Sequence, residues 1–311
     1  MALFNHIVEE NKHVHLATKT LAAIEEAIAK DQGAAYRVNL GNVIQHIGDA
    51  YSPDNTPFRS HMGASLIGGE CKRAVWYGFR WFTKPKFEGR IIRLFNRGHL
   101  EEARFIAMLL TIGCPVYQQD ANGKQFRISD CKGHFGGSSD GIIFNLPDFP
   151  NQYSLAEFKT HGEKSFIALE KSGVAVAKPE HLVQMNVYME KMNIPICLYM
   201  AVNKNTDMLY AEFVFLDKRI AASHIDLAED LIFSDQPPKK ISNSVGYYKC
   251  RYCEHKNMCH LGKNPDYNCR TCSFSKPIDN GEWLCEYSGQ ILTKEDQLEG
   301  CDNYIKKVIK D

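Results

Sequence analysis

Apolar residues recur every three to four positions through "TLAAIEEAIAK", and the pattern predicts a helix over residues 5–31. The stretch from Ala35 to His61 is mixed, and Pro53 and Pro57 mark it as a connector. Ser65 is placed to cap a helix through "LIGGECKRAVWYGFRW", interrupted by paired glycines. A longer helical period covers roughly 88–112, in "EGRIIRLFNRGHLEEARFIAMLLT". Shorter runs then read as strands: "PVYQQD", "KQFRIS", "GHFGGSSDGIIF" and "YSLAEFKT". Helical spacing returns at 163–173 and 179–193, strands at "CLYMAVNKN" and "LYAEFVFL", and a last helix at 218–233. Helix, several strands, helices, two strands, helix is the order of an α/β (α+β) fold, a mixed central sheet flanked by helices. No internal repeat breaks it.

Composition narrows the classes. The 311 residues carry 37 Lys+Arg against 37 Asp+Glu, so a polyanion site has to come from local clustering and not from net charge. No apolar run approaches the length of a membrane span, and the first residues lack a signal-peptide core, which reads as a cytoplasmic protein with no membrane partner. In a reducing compartment cysteines point to metal ligation more than to disulfides. Seven of the eleven fall between Cys250 and Cys301, after a change of character near Ser242. Cys114, Cys131 and Cys197 sit among apolar neighbours and read as core residues. The expected division is 1–60 helical, 61–242 core and 243–311 a cysteine-rich, metal-binding tail.

In "YSLAEFKTHGEKSF" a strand places Leu155, Glu157 and Lys159 on one face and Ala156 and Phe158 on the other. Upstream, "GGSSDGII" places Asp140 on a second expected strand, sharing a face with Ser138 and Ile142 and surrounded by glycines that permit close approach. Two carboxylates from adjacent strands suit Mg²⁺, and the ammonium suits an attacking water or a developing phosphorane charge. The competing reading is a solvated Glu–Lys pair on an edge strand. "RGHLEEARF" adds His99, Glu101 and Glu102 near Gly98 on a helix, and "HLVQMNVYMEK" puts Gln184 and Tyr188 four apart on one helical face. Each alone reads as an ordinary polar face.

Taken in order, Glu102, Asp140, Glu157-Phe158-Lys159 and Gln184…Tyr188 resemble the PD-(D/E)XK nuclease superfamily over about residues 60–220. The Gln-x-x-x-Tyr element resembles its RecB-type and lambda-exonuclease-type branch, and the whole is similar to bacteriophage and prophage exonucleases. The resemblance implies a restriction-endonuclease-like core and a Mg²⁺- or Mn²⁺-dependent DNA exonuclease serving phage recombination or processing. It further implies that Asp140 and Glu157 hold metal, with Glu102 assisting. Lys159 would assist the water, and Gln184 and Tyr188 would contact DNA. RecB-type domains carry a His where Glu102 stands, so Glu101 and His99 remain alternatives for the helix ligand.

"CRYCEHKNMC" gives Cys250, Cys253 and Cys259, a triplet without an obvious fourth thiolate nearby. With Cys71 and Arg73 upstream it resembles the iron–sulfur nucleases of the AddB type, which implies a cluster on Cys71, Cys250, Cys253 and Cys259. A zinc site on the triplet with His260 or His255 is the alternative. The remaining Cys269, Cys272, Cys285 and Cys301 read as a structural Zn²⁺ site, with His260 in place of Cys301 as a competing pairing. "WYGFRWFTKPKFEGR" interleaves aromatic and basic residues, either as core or as a DNA path. His161, Lys164 and Ser165 fall near a helix N-terminus, a place that favours phosphate. Two other classes stay open: a DNA-binding protein with a relic nuclease core, and an assembly protein whose metals only stabilise it. A homo-oligomer or a recombination partner fits the reading, but no residue names one.

Overall fold

A computed structural model describes residues 13–51 and 58–309. The chain divides into two compact units, one made of Met1–Asp54, Phe87–Arg127 and Ser138–Lys218, the other of Asn55–Lys86, Ile128–Gly137 and Arg219–Asp311.

The first unit is built on a mixed six-stranded sheet. Its elements in chain order are β1 (His15–Leu16), α1 (Thr18–Lys30), α2 (Ala34–Ile44), α3 (Gly89–Thr111), β2 (Val116–Tyr117), β3 (Gly141–Leu146), β4 (Phe149–His161), α4 (Glu163–Ala177), α5 (Pro179–Met192), β5 (Ile196–Asn203) and β6 (Leu209–Phe215). The strands lie in the order β1-β6-β5-β4-β3-β2. Only β4 and β5 run parallel, in a register that sets Glu157 beside Tyr199 and Lys159 beside Ala201. A parallel pair needs a crossover, and here α4 and α5 supply it.

Alternation along the strands decides the layers. Ala156 and Phe158 of β4, Leu198 and Met200 of β5 and Ala211 and Phe213 of β6 join Ile24, Val43, Phe105, Ile106 and Leu109 of α1–α3 in one apolar core. The Phe105 and Phe158 rings stack at 5.0 Å. Helices α4 and α5 pack against β5 and β6. This is the expected sheet flanked by helices.

Several local expectations change. The segment expected to connect, 35–61, contains α2, whose Tyr36, Leu40, Val43 and Ile44 follow helix spacing into the core. The first helix starts at Thr18, because His15 and Leu16 pair with Phe213 and Glu212 as an edge strand. Its residues 5–12, like Pro53 and Pro57, lie outside the described residues. Gly63 and not Ser65 precedes the next helix, and the run breaks at Gly68–Gly69 into Ala64–Ile67 and Lys72–Phe79. Regular helix in α4 ends at Gly173, whose φ of +67° only glycine adopts readily. There the Val174 N–H donates to Glu212 Oε2 at 2.8 Å, and the Tyr210 hydroxyl donates to the same oxygen at 2.6 Å.

In the second unit the aromatic run is core: Trp76, Tyr77, Phe79, Trp81 and Phe82 are buried. Arg73, Arg80 and Arg270 are buried with them. The Arg270 guanidinium lies 3.8 Å from the Trp81 ring centre and 4.5 Å from that of Trp283. It donates to the carbonyls of Phe79 and Ser60, both at 2.9 Å, and to Gln297 Oε1 at 2.8 Å. Arg80 donates to the Ser234 and Ser275 carbonyls. The tail forms a three-stranded antiparallel sheet of Ser275–Pro277, Trp283–Cys285 and Gln290–Leu292, followed by helix Lys294–Glu299 with a Thr293/Asp296 capping box.

Candidate active site

Strand β4 leaves the core face to Phe158 and turns Glu157 and Lys159 to the other side. Glu157 is fully buried, while a quarter of the Lys159 side chain reaches solvent. Lys159 Nζ donates to Glu157 Oε1 and, at 3.3 Å, to the Phe158 carbonyl. Gln184 Nε2, from α5, donates to Glu157 Oε2 at 3.2 Å. Both carboxylate oxygens are therefore engaged.

Asp140 lies in a bend just ahead of β3 and not within a strand, which corrects the expectation that it shares a strand face with Ser138 and Ile142. The bend precedes Gly141, which pairs with Ala156. Asp140 Oδ2 accepts the Phe158 N–H at 2.7 Å. The residue between Glu157 and Lys159 thus fixes the upstream acid through its backbone and fills the core with its ring.

Charge accumulates here. Burial pushes the Glu157 carboxyl up to about 7, Lys159 opposes that rise, and Asp140 and Glu102 add to it. Burial works against the Lys159 ammonium, but Glu157, Asp140 and Glu102 together hold its pKa above the usual lysine value. Burial also raises Glu102, with His99 opposing and Asp140 reinforcing. His99 Nδ1 lies 3.7 Å from Glu102 Oε1. Glu101 points elsewhere, paired with Arg104 at 3.1 Å. Of the helix candidates, Glu102 is the one in electrostatic contact with the strand carboxylates. Tyr188 is buried one turn beyond Gln184.

A polar network alongside went unread in the sequence. His161 Nε2 lies 2.8 Å and His181 Nδ1 lies 3.0 Å from the Tyr199 hydroxyl. Ser165 Oγ lies 3.2 Å from His161 Nδ1 and accepts from Lys178 Nζ at 2.5 Å. Burial, then Lys178 and Lys159, pushes His161 down to about 4; burial, then Lys159, pushes His181 down to about 3. Both rings are neutral near pH 7. Ser165, noted for its place near a helix start, spends its hydroxyl on this network. The signal available was the strand register, which sets Tyr199 beside Glu157.

An open cleft lies elsewhere. Tyr117, Phe126, Ile142 and Tyr153 line it, and the carboxylates do not. Tyr153 precedes Glu157 by four residues, about 13 Å along an extended strand.

None of the eleven cysteines is in a disulfide. Cys114, Cys131 and Cys197 are buried, as expected of core residues. The second unit brings Cys71, Cys250, Cys253 and Cys259 within range of one another. Burial raises the last three thiols, and Cys71 adds to each. His255, the alternative ligand, packs against the Tyr77 ring. Cys269, Cys272, Cys285 and Cys301 line one small cavity. Among the described residues, no three His, Cys, Asp or Glu side chains are closed around a common point in the way a bound metal requires. Nor is any described helix long and apolar enough to cross a membrane.

No known protein family matches the chain, and no curated protein does. Among solved structures it is similar to LHK-Exo in complex with dAMP, at 15% identity and a TM-score of 0.38, over 55% of this chain and 86% of that one. The alkaline exonuclease LHK-Exo from Laribacter hongkongensis gives 14% identity and a TM-score of 0.38 over the same shares. SSO0001 gives 16% and 0.35, over 73% of this chain and 97% of that one. These likenesses are distant, and the functional reading rests on this chain's own residues.

Proposed function

We propose that this chain is a PD-(D/E)XK deoxyribonuclease that hydrolyses DNA phosphodiesters from an end with Mg²⁺ or Mn²⁺, in phage-type recombination or processing. The observation that carries the reading is Glu157, a carboxylate with no solvent exposure, held between Lys159 and Gln184 and facing two further acids. A purely structural ion pair has no use for Asp140 and Glu102, which raise the cost of ionising it. The donor set fits a hard divalent cation: three carboxylates beside a single ammonium. Asp140 and Glu157 would hold it, with Glu102 helping directly or through water.

The cation would supply Lewis acidity and a water of lowered pKa. The protein's own groups do the rest. Lys159 stays charged at neutral pH and, partly open to solvent, is the group to orient the nucleophile or meet charge developing on phosphate. Gln184 fixes one oxygen of Glu157, and Gln184 and Tyr188 would position the strand. The Phe158 N–H holds the Asp140 carboxylate in its orientation. We further propose that Cys71, Cys250, Cys253 and Cys259 hold an iron–sulfur cluster, supported by their closeness, since Cys71 opposes ionisation of each of the other three.

The test is cleavage of end-labelled linear and closed circular DNA with Mg²⁺ or Mn²⁺, by anaerobically purified wild type, Glu157→Ala and Lys159→Ala. Degradation of linear DNA by wild type alone is expected. Cutting of circles would replace exonuclease by endonuclease. Equal behaviour of all three folded proteins would overturn the assignment.

A further inference from the structure

The nuclease reading leaves Cys269, Cys272, Cys285 and Cys301 unused. They reach one cavity from separate places. Cys269 opens a short 3₁₀ turn and Cys272 follows it, Cys285 ends the strand Trp283–Cys285, and Cys301 comes after helix Lys294–Glu299. Phe274, Tyr287, Leu292 and Tyr304, with Ser275 and Asn303, complete the lining, so the thiols share one mostly apolar space.

Behind Cys285 the chain turns back, with the Gly289 N–H donating to the Cys285 carbonyl at 2.8 Å and Gly289 at a φ of +70°. Sulfur donors with no carboxylate in the lining suit a soft or borderline metal and exclude Mg²⁺ and Ca²⁺. A tail whose strands are three residues long gains most from such a closure.

We propose that Cys269, Cys272, Cys285 and Cys301 bind one Zn²⁺ as four thiolates and that this ion holds the tail closed. His260 has no part in it. The sulfurs ring the cavity without meeting at a point, and the Cys269 thiol donates to the Asp296 carbonyl at 3.3 Å. Binding turns Cys269 off that carbonyl, and each protonated thiol releases its proton to the buffer as its Zn–S bond forms.

The experiment is metal analysis of the full chain as wild type, Cys285→Ser and Cys253→Ser, with cobalt substitution of each. Wild type and Cys253→Ser should keep one zinc that Cys285→Ser loses. Cobalt should give the intense thiolate charge-transfer and tetrahedral bands in the first two and not in the third. Equal zinc in Cys285→Ser and wild type, or iron in place of zinc, would overturn the assignment. If Cys285→Ser does not fold, wild type stripped by a chelator decides. Protease cleavage between residues 262 and 309 should appear on stripping and disappear on adding zinc, and a pattern indifferent to zinc would refute the proposal. None of these readouts uses cleavage of DNA, so the nuclease reading stands or falls separately.

Discussion

Replacing Glu157 by glutamine in metal-free protein should stabilise it at alkaline pH. The carboxyl is raised from an ordinary 4.5 to about 7 by burial and by Asp140 and Glu102, against the pull of Lys159. The folded state therefore holds a proton that the unfolded state releases between these values. Stability from this group is fully present below about pH 4.5, falls as pH rises, and is lost above about pH 7, by about 3 kcal/mol in all. The raised Lys159 is the same attraction seen from the other partner and is not added again. Glutamine keeps the shape and the Gln184 contact without a proton to lose. The assay is urea unfolding of both proteins in EDTA at about pH 5 and about pH 8.5. Subtracting one from the other removes most of the contribution of the other raised acids, Glu101, Glu102, Glu212 and Glu254. The two should be close at the lower pH, with the variant ahead by about 2–3 kcal/mol at the higher. Mg²⁺ or Mn²⁺ should close the gap by stabilising wild type. A difference that does not change with pH would refute the account of a carboxyl raised by burial and by neighbouring acids.

Gly173→Ala should destabilise by roughly 2–4 kcal/mol, from the left-handed backbone and overpacking. A methyl there would lie 2.6 Å from Val14 Cγ2 and 3.3 Å from both Glu212 carboxylate oxygens; unchanged urea unfolding would contradict this. Phe158→Ala should cost about 3–5 kcal/mol by emptying the core against Phe105. It keeps the N–H that holds Asp140, so under the nuclease reading cleavage should persist wherever the protein remains folded. Parallel loss of cleavage and no loss of stability would invert the assigned roles of side chain and backbone.

The site was legible where periodicity and spacing coincide. Odd positions of β4 gave Glu157 and Lys159 one face, and the structure gives them that face. Helix spacing located α3, and the helix expected at 218–233 lies at Lys218–Phe233. The rest turned on tertiary pairing. Asp140 looked like a strand residue because glycines and serines around it carry no period, and its bend is defined only by the Phe158 N–H, eighteen residues away. His15 and Leu16 form too short a strand to alternate. Helix α2 was hidden by Gly41 and nearby prolines, although its apolar residues kept helix spacing. Tyr199 and His181 belong to no motif. They meet His161 only because β5 lies beside β4, and a wholly buried strand shows no alternation to single out its polar member.

The parallel pairing of β4 with β5 also bears on how the protein is made. Glu157 leaves the ribosome long before Gln184, and nothing can hold the two together until the crossover through α4 and α5 has been synthesised and has packed. A nascent or truncated chain ending before α5 lacks the amide that fixes Glu157. One ending before β5 also leaves β4 without its parallel neighbour. Under the nuclease reading, unfinished copies would lack an assembled site, which would form only once the sheet closes.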